Sequence, residues 1–255
     1  MPEAAFPVTE DAFLAGKLRL RQPASGHRAG HDAVLLAAAT RARPGERLAD
    51  FGAGVGAAGL AVATRLRDLA LVLVEIDPEL AALASTNLAA NGMRGEVVRL
   101  DLAADAAAFS DVGLGPDSLD GVLMNPPFNH PIRQQASPNP DRRSAHAATR
   151  STLDVWVHAA RRTIKPGGAL TLIWRADGLA EIVTALTRGF GSLAILPVHG
   201  RDGETAIRVV VRAIKGGRAP LQLYSGFMLN DSAGVPTEQA KAVLAGEAIL
   251  PLGCA

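Results

Sequence analysis

Short, continuously apolar runs alternate with alanine-rich stretches of helical period along most of the chain. Residues 48–51, 71–75, 97–100 and 119–124 read as four successive strands. Three more follow at 169–174, 193–197 and 207–212, the last two as an antiparallel hairpin at a sheet edge. Helices are predicted over 32–40, 55–66, 78–91, 151–163 and 179–186. Pro78 suits a first helical turn, Gly92 a stop and Ser151 a cap. Strands that are apolar throughout, rather than alternating, are buried on both faces. The fold class is therefore α/β, a mostly parallel sheet with helices on both sides, and ligands bind beyond the carboxyl ends of its strands. Residues 125–149 carry Pro, Asn and Arg and predict a long loop. Residues 219–255 predict a tail packed back on the domain, with one short helix after Thr237.

Composition narrows the class. At 255 residues and 48% hydrophobic, the chain is too apolar for disorder and long enough for a sizeable core. Its single cysteine, Cys254, excludes an internal disulfide framework and a cysteine zinc cage, which suits the reducing cytoplasm. Residues 1–21 lack the apolar core of a signal peptide, and no apolar run approaches a membrane span. The net charge of +1 conceals a segregation. Residues 48–128 hold four bases and eleven acids, a net of −7, whereas 129–165 and 188–218 carry +5 and +4. Such a basic surface suits a polyanionic partner, nucleic acid above all, although a solvated basic face reads the same way.

The first strand runs into Asp50-Phe51-Gly52-Ala53-Gly54-Val55-Gly56. Glycines at a strand-to-helix turn let a ligand lie against bare main chain. Glu75 ends the second strand, 21 positions after Gly54, where a carboxylate can accept both hydroxyl hydrogens of a ribose. Ile76 can press on an adenine ring, and Asp101, at the end of the third strand, can accept from its amine. Gly54, Gly56 and Gly59 also satisfy the G-x-G-x-x-G pattern, so a dinucleotide-dependent oxidoreductase is the competing reading. Asp50 would repel a pyrophosphate but suits the cationic amino-acid portion of S-adenosyl-L-methionine. Taken singly, each acid is also an ordinary strand-end carboxylate, and the glycines an ordinary tight turn.

The fourth strand ends in Asn125-Pro126-Pro127-Phe128, a rigid turn, because adjacent prolines cannot continue a ladder. The Asn125 side-chain oxygen and the Pro126 carbonyl can both accept hydrogens from one amino group, turning its lone pair toward a methyl donor. Pro127 stiffens that turn, and Phe128 offers a flat surface for a planar base. The six histidines, His130 beside this turn included, have no metal-ligand spacing, and no metal is expected.

These motifs resemble class I S-adenosylmethionine-dependent methyltransferases with an N-P-P-[YF] turn, over roughly residues 45–215. The resemblance implies a Rossmann-like sheet of seven strands, with Asp50, Gly52, Gly54, Gly56, Glu75, Ile76 and Asp101 at the cofactor. It implies Asn125, Pro126, Pro127 and Phe128 at the reacting amine. Residues 13–23 and 26–36 are similar to the amino-terminal element of bacterial tRNA adenine-N6 methyltransferases. By that likeness 1–44 is an element that closes over the cofactor around residues 28–32, 45–218 the methyltransferase domain and 219–255 the tail. The expected substrate is a nucleobase amine in RNA, adenine-N6 of tRNA first. The N-P-P-F form also suits ribosomal RNA guanine-N2 enzymes, and the motif is shared with glutamine-amide enzymes.

Overall fold

The computed structural model describes residues 7–26, 28–66, 68–127 and 142–252, with side chains of its longest helix described from Thr152 onward. The first element is absent from the prediction. Alternation of buried Leu18 and Leu20 with exposed Arg19 and Arg21 makes an antiparallel hairpin of β1 (Val8–Phe13) and β2 (Leu18–Pro23). The pattern is that of a half-buried strand, overlooked among the continuous apolar runs that follow. The outer edge of β2 is held by two side chains. Asn87 and Asn91 each accept from and donate to its backbone, at Arg21 and Arg19, at 2.7–3.0 Å.

Next come α1 (His31–Ala39), β3 (Arg47–Phe51), α2 (Ala57–Arg65), β4 (Ala70–Glu75), α3 (Pro78–Ala90) and β5 (Gly95–Arg99). Pro78 stands in the first turn of α3, and the Asp77 side chain caps it by accepting from Glu79 and Leu80 N–H groups. A short helix that the apolar pattern does not predict, α4 (Ala106–Asp111), precedes β6 (Leu119–Met124). Asp105 caps it and Phe109 anchors it in the core.

The expected loop at 125–149 is corrected in part. Helix α5 (Arg142–Thr163) begins at Arg142, so Ser151 lies inside it and not at its start; residues 128–141 lie outside the described residues. Alanines at 145, 147 and 148 favour helix, and Leu153, Val157 and Ala160 bury its last turns. Beyond α5 lie β7 (Ile164–Arg175), α6 (Leu179–Leu186), β8 (Phe190–Arg201) and β9 (Ala206–Lys215). The last two form the expected antiparallel pair. Residues 219–252 add β10 (Gln222–Leu223), β11 (Phe227–Asn230) and α7 (Glu238–Leu244), which Thr237 caps.

The central sheet runs β8-β9-β7-β6-β3-β4-β5, with only β9 reversed, as in the seven-stranded expectation. Among the described residues the count is nine strands, because β10 and β11 both pair in parallel with the outer edge of β8. Leucines and valines of the strands face two cores. α1, α2 and α3 cover one face of the sheet, and α4, α5 and α6 the other. The chain reverses direction of winding between β3 and β6, and at that switch point the carboxyl ends of β3, β4 and β6 open on a crevice.

Candidate active site

The crevice is a cavity of about 590 Å³ lined by Gly52, Gly54, Glu75, Ile76, Asp101, Asn125, Pro126 and Pro127. A second, of about 360 Å³, shares Asp32, Gly52, Gly54, Leu80 and Asn125 with it and reaches Asp50 and the loop at Arg28. Of the residues predicted for the site, the fold gathers nine on these two walls. Gly56 is elsewhere: it caps α2 and faces Leu73 and Leu60, where a Cβ would fall 2.9 Å from a Leu73 methyl. Gly59, the third glycine of the dinucleotide-like pattern, is also a packing residue, since a Cβ there would meet Leu73 at 2.6 Å. Phe128 and His130 lie outside the described residues, as do His27 and Cys254.

The glycine turn is built by its neighbours. Gly52 N–H and Ala53 N–H both donate to the Val74 carbonyl, at 2.9 and 3.0 Å, which curls the end of β3 over β4. Gly52 has φ +68°, and a Cβ on it would strike the indole of Trp156, which leans in from α5. Gly54 has φ +57° and open space before it, a bare stretch of main chain facing the cavity.

Two acids hold this turn from below. Glu75 accepts from Gly54 N at 2.7 Å through one oxygen, and from Ile76 N and Asp77 N at 2.8 and 3.0 Å through the other. Three of its acceptor positions are thus filled, leaving the Gly54-side oxygen a position for a hydroxyl. Asp50 is 2% exposed and accepts from Gly59 N at 2.8 Å. Burial pushes its carboxyl up to about 7, against the Gly59 hydrogen bond and with help from the charge of Glu75. Ile76, by contrast, exposes 58% of its surface, an apolar face offered to the cavity. Asp101 is exposed on the same wall and turns one oxygen back to the Ala103 N–H.

Opposite the glycines, the prolines deny β6 further N–H donors, so the strand stops at Met124 and Asn125 turns aside. Its side-chain oxygen is buried and has no hydrogen-bond partner among the described residues. A buried carbonyl without a donor costs free energy on the order of 1–3 kcal/mol, which a ligand N–H would recover.

Three contributors have no signal in the local sequence. Trp156 lies in the helix predicted over 151–163, but nothing in that helix's pattern directs it to the glycine turn, and Asp32 and Arg208 are 176 positions apart. Arg208 Nε donates to Asp32 Oδ2 at 3.0 Å, closing the rim of the cavity between α1 and β9. The adjoining loop is fixed by a polar knot: Arg28, Gln22 and Thr9 all donate to one oxygen of Asp11, at 2.7–3.0 Å. The bonds from Gln22 and Thr9, foremost, hold the Asp11 carboxyl below its usual value. Among the described residues no helix is long and apolar enough to cross a membrane.

Residues 29–200 match the family model described as methyltransferase small domain. The ribosomal RNA small subunit methyltransferase C of Pseudomonas fluorescens is 38% identical over 104 residues, 40% of this chain and 29% of that protein. The chain therefore spans less than a third of that relative. Among solved structures, a predicted O-methyltransferase of Agrobacterium tumefaciens aligns with a TM-score of 0.72 and 33% identity, over 86% of this chain and 98% of the other. TrmN from Thermus thermophilus shares the fold, with a TM-score of 0.51 and 22% identity over 72% of this chain and 48% of that one.

Proposed function

The chain belongs to the methyltransferase small-domain family, of the class I S-adenosylmethionine-dependent fold, and from that premise we propose that it methylates the exocyclic amine of a nucleobase in RNA. The cofactor suits the residues present. Gly54 leaves the space a nucleoside needs, Glu75 keeps an acceptor for its ribose, and Ile76 offers an apolar face for adenine. Asp101, on the wall of the larger cavity, would accept from the adenine amine, and Asp50, on the smaller one, would serve the cationic amino group. When bound, S-adenosylmethionine supplies an electrophilic methyl on a sulfonium that leaves readily.

The chain's own part is to hold the acceptor nitrogen. Asn125 Oδ1 and the Pro126 carbonyl accept its two hydrogens, so the lone pair points at the methyl, and Pro127 keeps the turn from relaxing. Phe128 is the proposed stacking surface. Methyl transfer would exchange the sulfur–carbon bond for a nitrogen–carbon bond, and the amine proton released would pass to water. The single observation that carries this reading is the buried, unpartnered side-chain oxygen of Asn125, a residue that lines the cavity of the glycine turn. It also favours an amine over the hydroxyl implied by the name of the Agrobacterium relative. A hydroxyl has one hydrogen, and two acceptors ask for two.

The resemblance of residues 13–36 to tRNA adenine-N6 enzymes makes tRNA adenine the first target. Ribosomal RNA is the second reading, because the Pseudomonas relative carries that substrate in its name. Incubating the purified protein with labelled donor and separate tRNA, ribosomal RNA and protein fractions, followed by nucleoside mass spectrometry, tests both. Label appearing as N6-methyladenosine in tRNA is the expected result. Label confined to protein glutamine would overturn the RNA assignment.

A further inference from the structure

Helix α1 packs against β9, and the spacing along the two brings three arginines together. Asp32, in its first turn, meets Arg208 of β9. Nine residues of helix rise about 13 Å. Four residues of strand also advance about 13 Å. Arg41, just past the helix, is therefore brought over Arg212, whose side chain shares the Arg208 face of β9. Arg65 completes the group from the last turn of α2. Its Nη2 donates to the carbonyls of Thr40 and Ala37 at 2.6 and 3.3 Å, the free end of α1.

No ion pair joins any of the three to a carboxylate of the described residues. The Nε atoms of Arg41 and Arg212 are buried without a hydrogen-bond partner. Burial and then the charge of Arg41 hold both Arg65 and Arg212 below the usual guanidinium range, while Tyr224 and Glu46 act on Arg212 in the opposite sense. Three convergent cations that repel one another, with donors left over, make a site for an anion.

We propose that Arg41, Arg65 and Arg212 bind a backbone phosphate of the RNA substrate, at the far end of α1 from the catalytic cavity. The inference rests on the RNA reading of the active site. The length of α1, about 13 Å, separates the cavity rim at Asp32 from the cluster, a span that an RNA of a few nucleotides can bridge.

The test compares wild type with Arg41→Gln, Arg212→Gln and the double variant. RNA affinity is read by fluorescence anisotropy across a salt series, and melting temperature with and without inorganic phosphate. The double variant should bind RNA about tenfold more weakly at low salt, with a salt slope smaller by about one. S-adenosylhomocysteine binding should not change, and phosphate should raise the melting temperature of wild type only. If the glutamine variants fail to fold, Arg41→Lys and Arg212→Lys keep the charge and should bind RNA with intermediate affinity. Wild-type affinity and slope in the variants would overturn the site while leaving the RNA reading intact. A phosphate response lost without any change in RNA binding would overturn the RNA assignment of the cluster. A wild-type protein that does not bind RNA would overturn both.

Discussion

Arg208 and Asp32, far apart in sequence, meet at 3.0 Å on the rim of the active-site cavity, joining the reversed strand β9 to the helix that walls the cofactor side. Each side chain is about a quarter exposed, at 28% and 26%, so the pair adds little to global stability, about 0–1 kcal/mol. Its effect is on position. Arg208→Ala should shift the urea midpoint only slightly yet lower the single-turnover rate of methyl transfer several-fold. The double exchange Asp32→Arg with Arg208→Asp should recover part of that rate, which a merely structural loss would not.

Glu75 carries three backbone N–H groups besides its proposed ribose contact. Hydrogen bonds to a charged acceptor are worth about 1.5–3 kcal/mol each. Glu75→Gln should therefore weaken S-adenosylhomocysteine binding by about 10- to 100-fold in calorimetry. Unchanged affinity would remove Glu75 from the cofactor site.

Asp50 gives the protein a dependence on pH of unusual sign. Its folded pKa, about 7, stands above its ordinary value of 3.8, so in that interval the folded state binds more protons than the unfolded one. The resulting destabilisation is absent below pH 3.8, grows as pH rises from about 4 to 7 and is complete above that. Asp50→Asn should flatten this part of the stability profile. A cationic amino group beside Asp50 would favour its charged form, so binding S-adenosylhomocysteine near pH 6.5 should release a proton. Calorimetry in buffers of different ionisation enthalpy measures that release directly.

Gly52→Ala tests the glycine turn. The new methyl must adopt φ near +68° and displace the Trp156 ring, so both backbone strain and overpacking oppose it. Together they should cost about 2–5 kcal/mol in urea unfolding. Trp156→Ala in the same chain relieves the clash and should restore part of the loss.

The parallel sheet and the placing of Asp50, Glu75 and Asn125 at strand ends were legible because buried strands leave continuous apolar runs and their ends are punctuated by Gly and Pro. The hairpin at Leu18 and Leu20 was not, because a two-residue period over six positions is a weak signal beside them. The first turns of α5, from Arg142, were hidden by their own charge, while its predicted part from residue 151 gave no sign that Trp156 would reach the glycine turn. Arg208 could not be assigned to the rim from sequence, since nothing local to residue 208 says that Asp32 lies across from it. At Gly56 the motif suggests a ligand contact, while φ of +87° and the close approach of Leu73 give the glycine a structural reason that the sequence does not show.

Asn125 is assigned to the acceptor amine and not to the cofactor. Asn125→Ala, assayed side by side for labelled methyl transfer to RNA and for S-adenosylhomocysteine binding by calorimetry, separates the two roles. Transfer should fall at least a hundredfold, with affinity within about twofold of wild type. Transfer that persists at near wild-type rate, or cofactor binding lost together with transfer, would contradict that assignment.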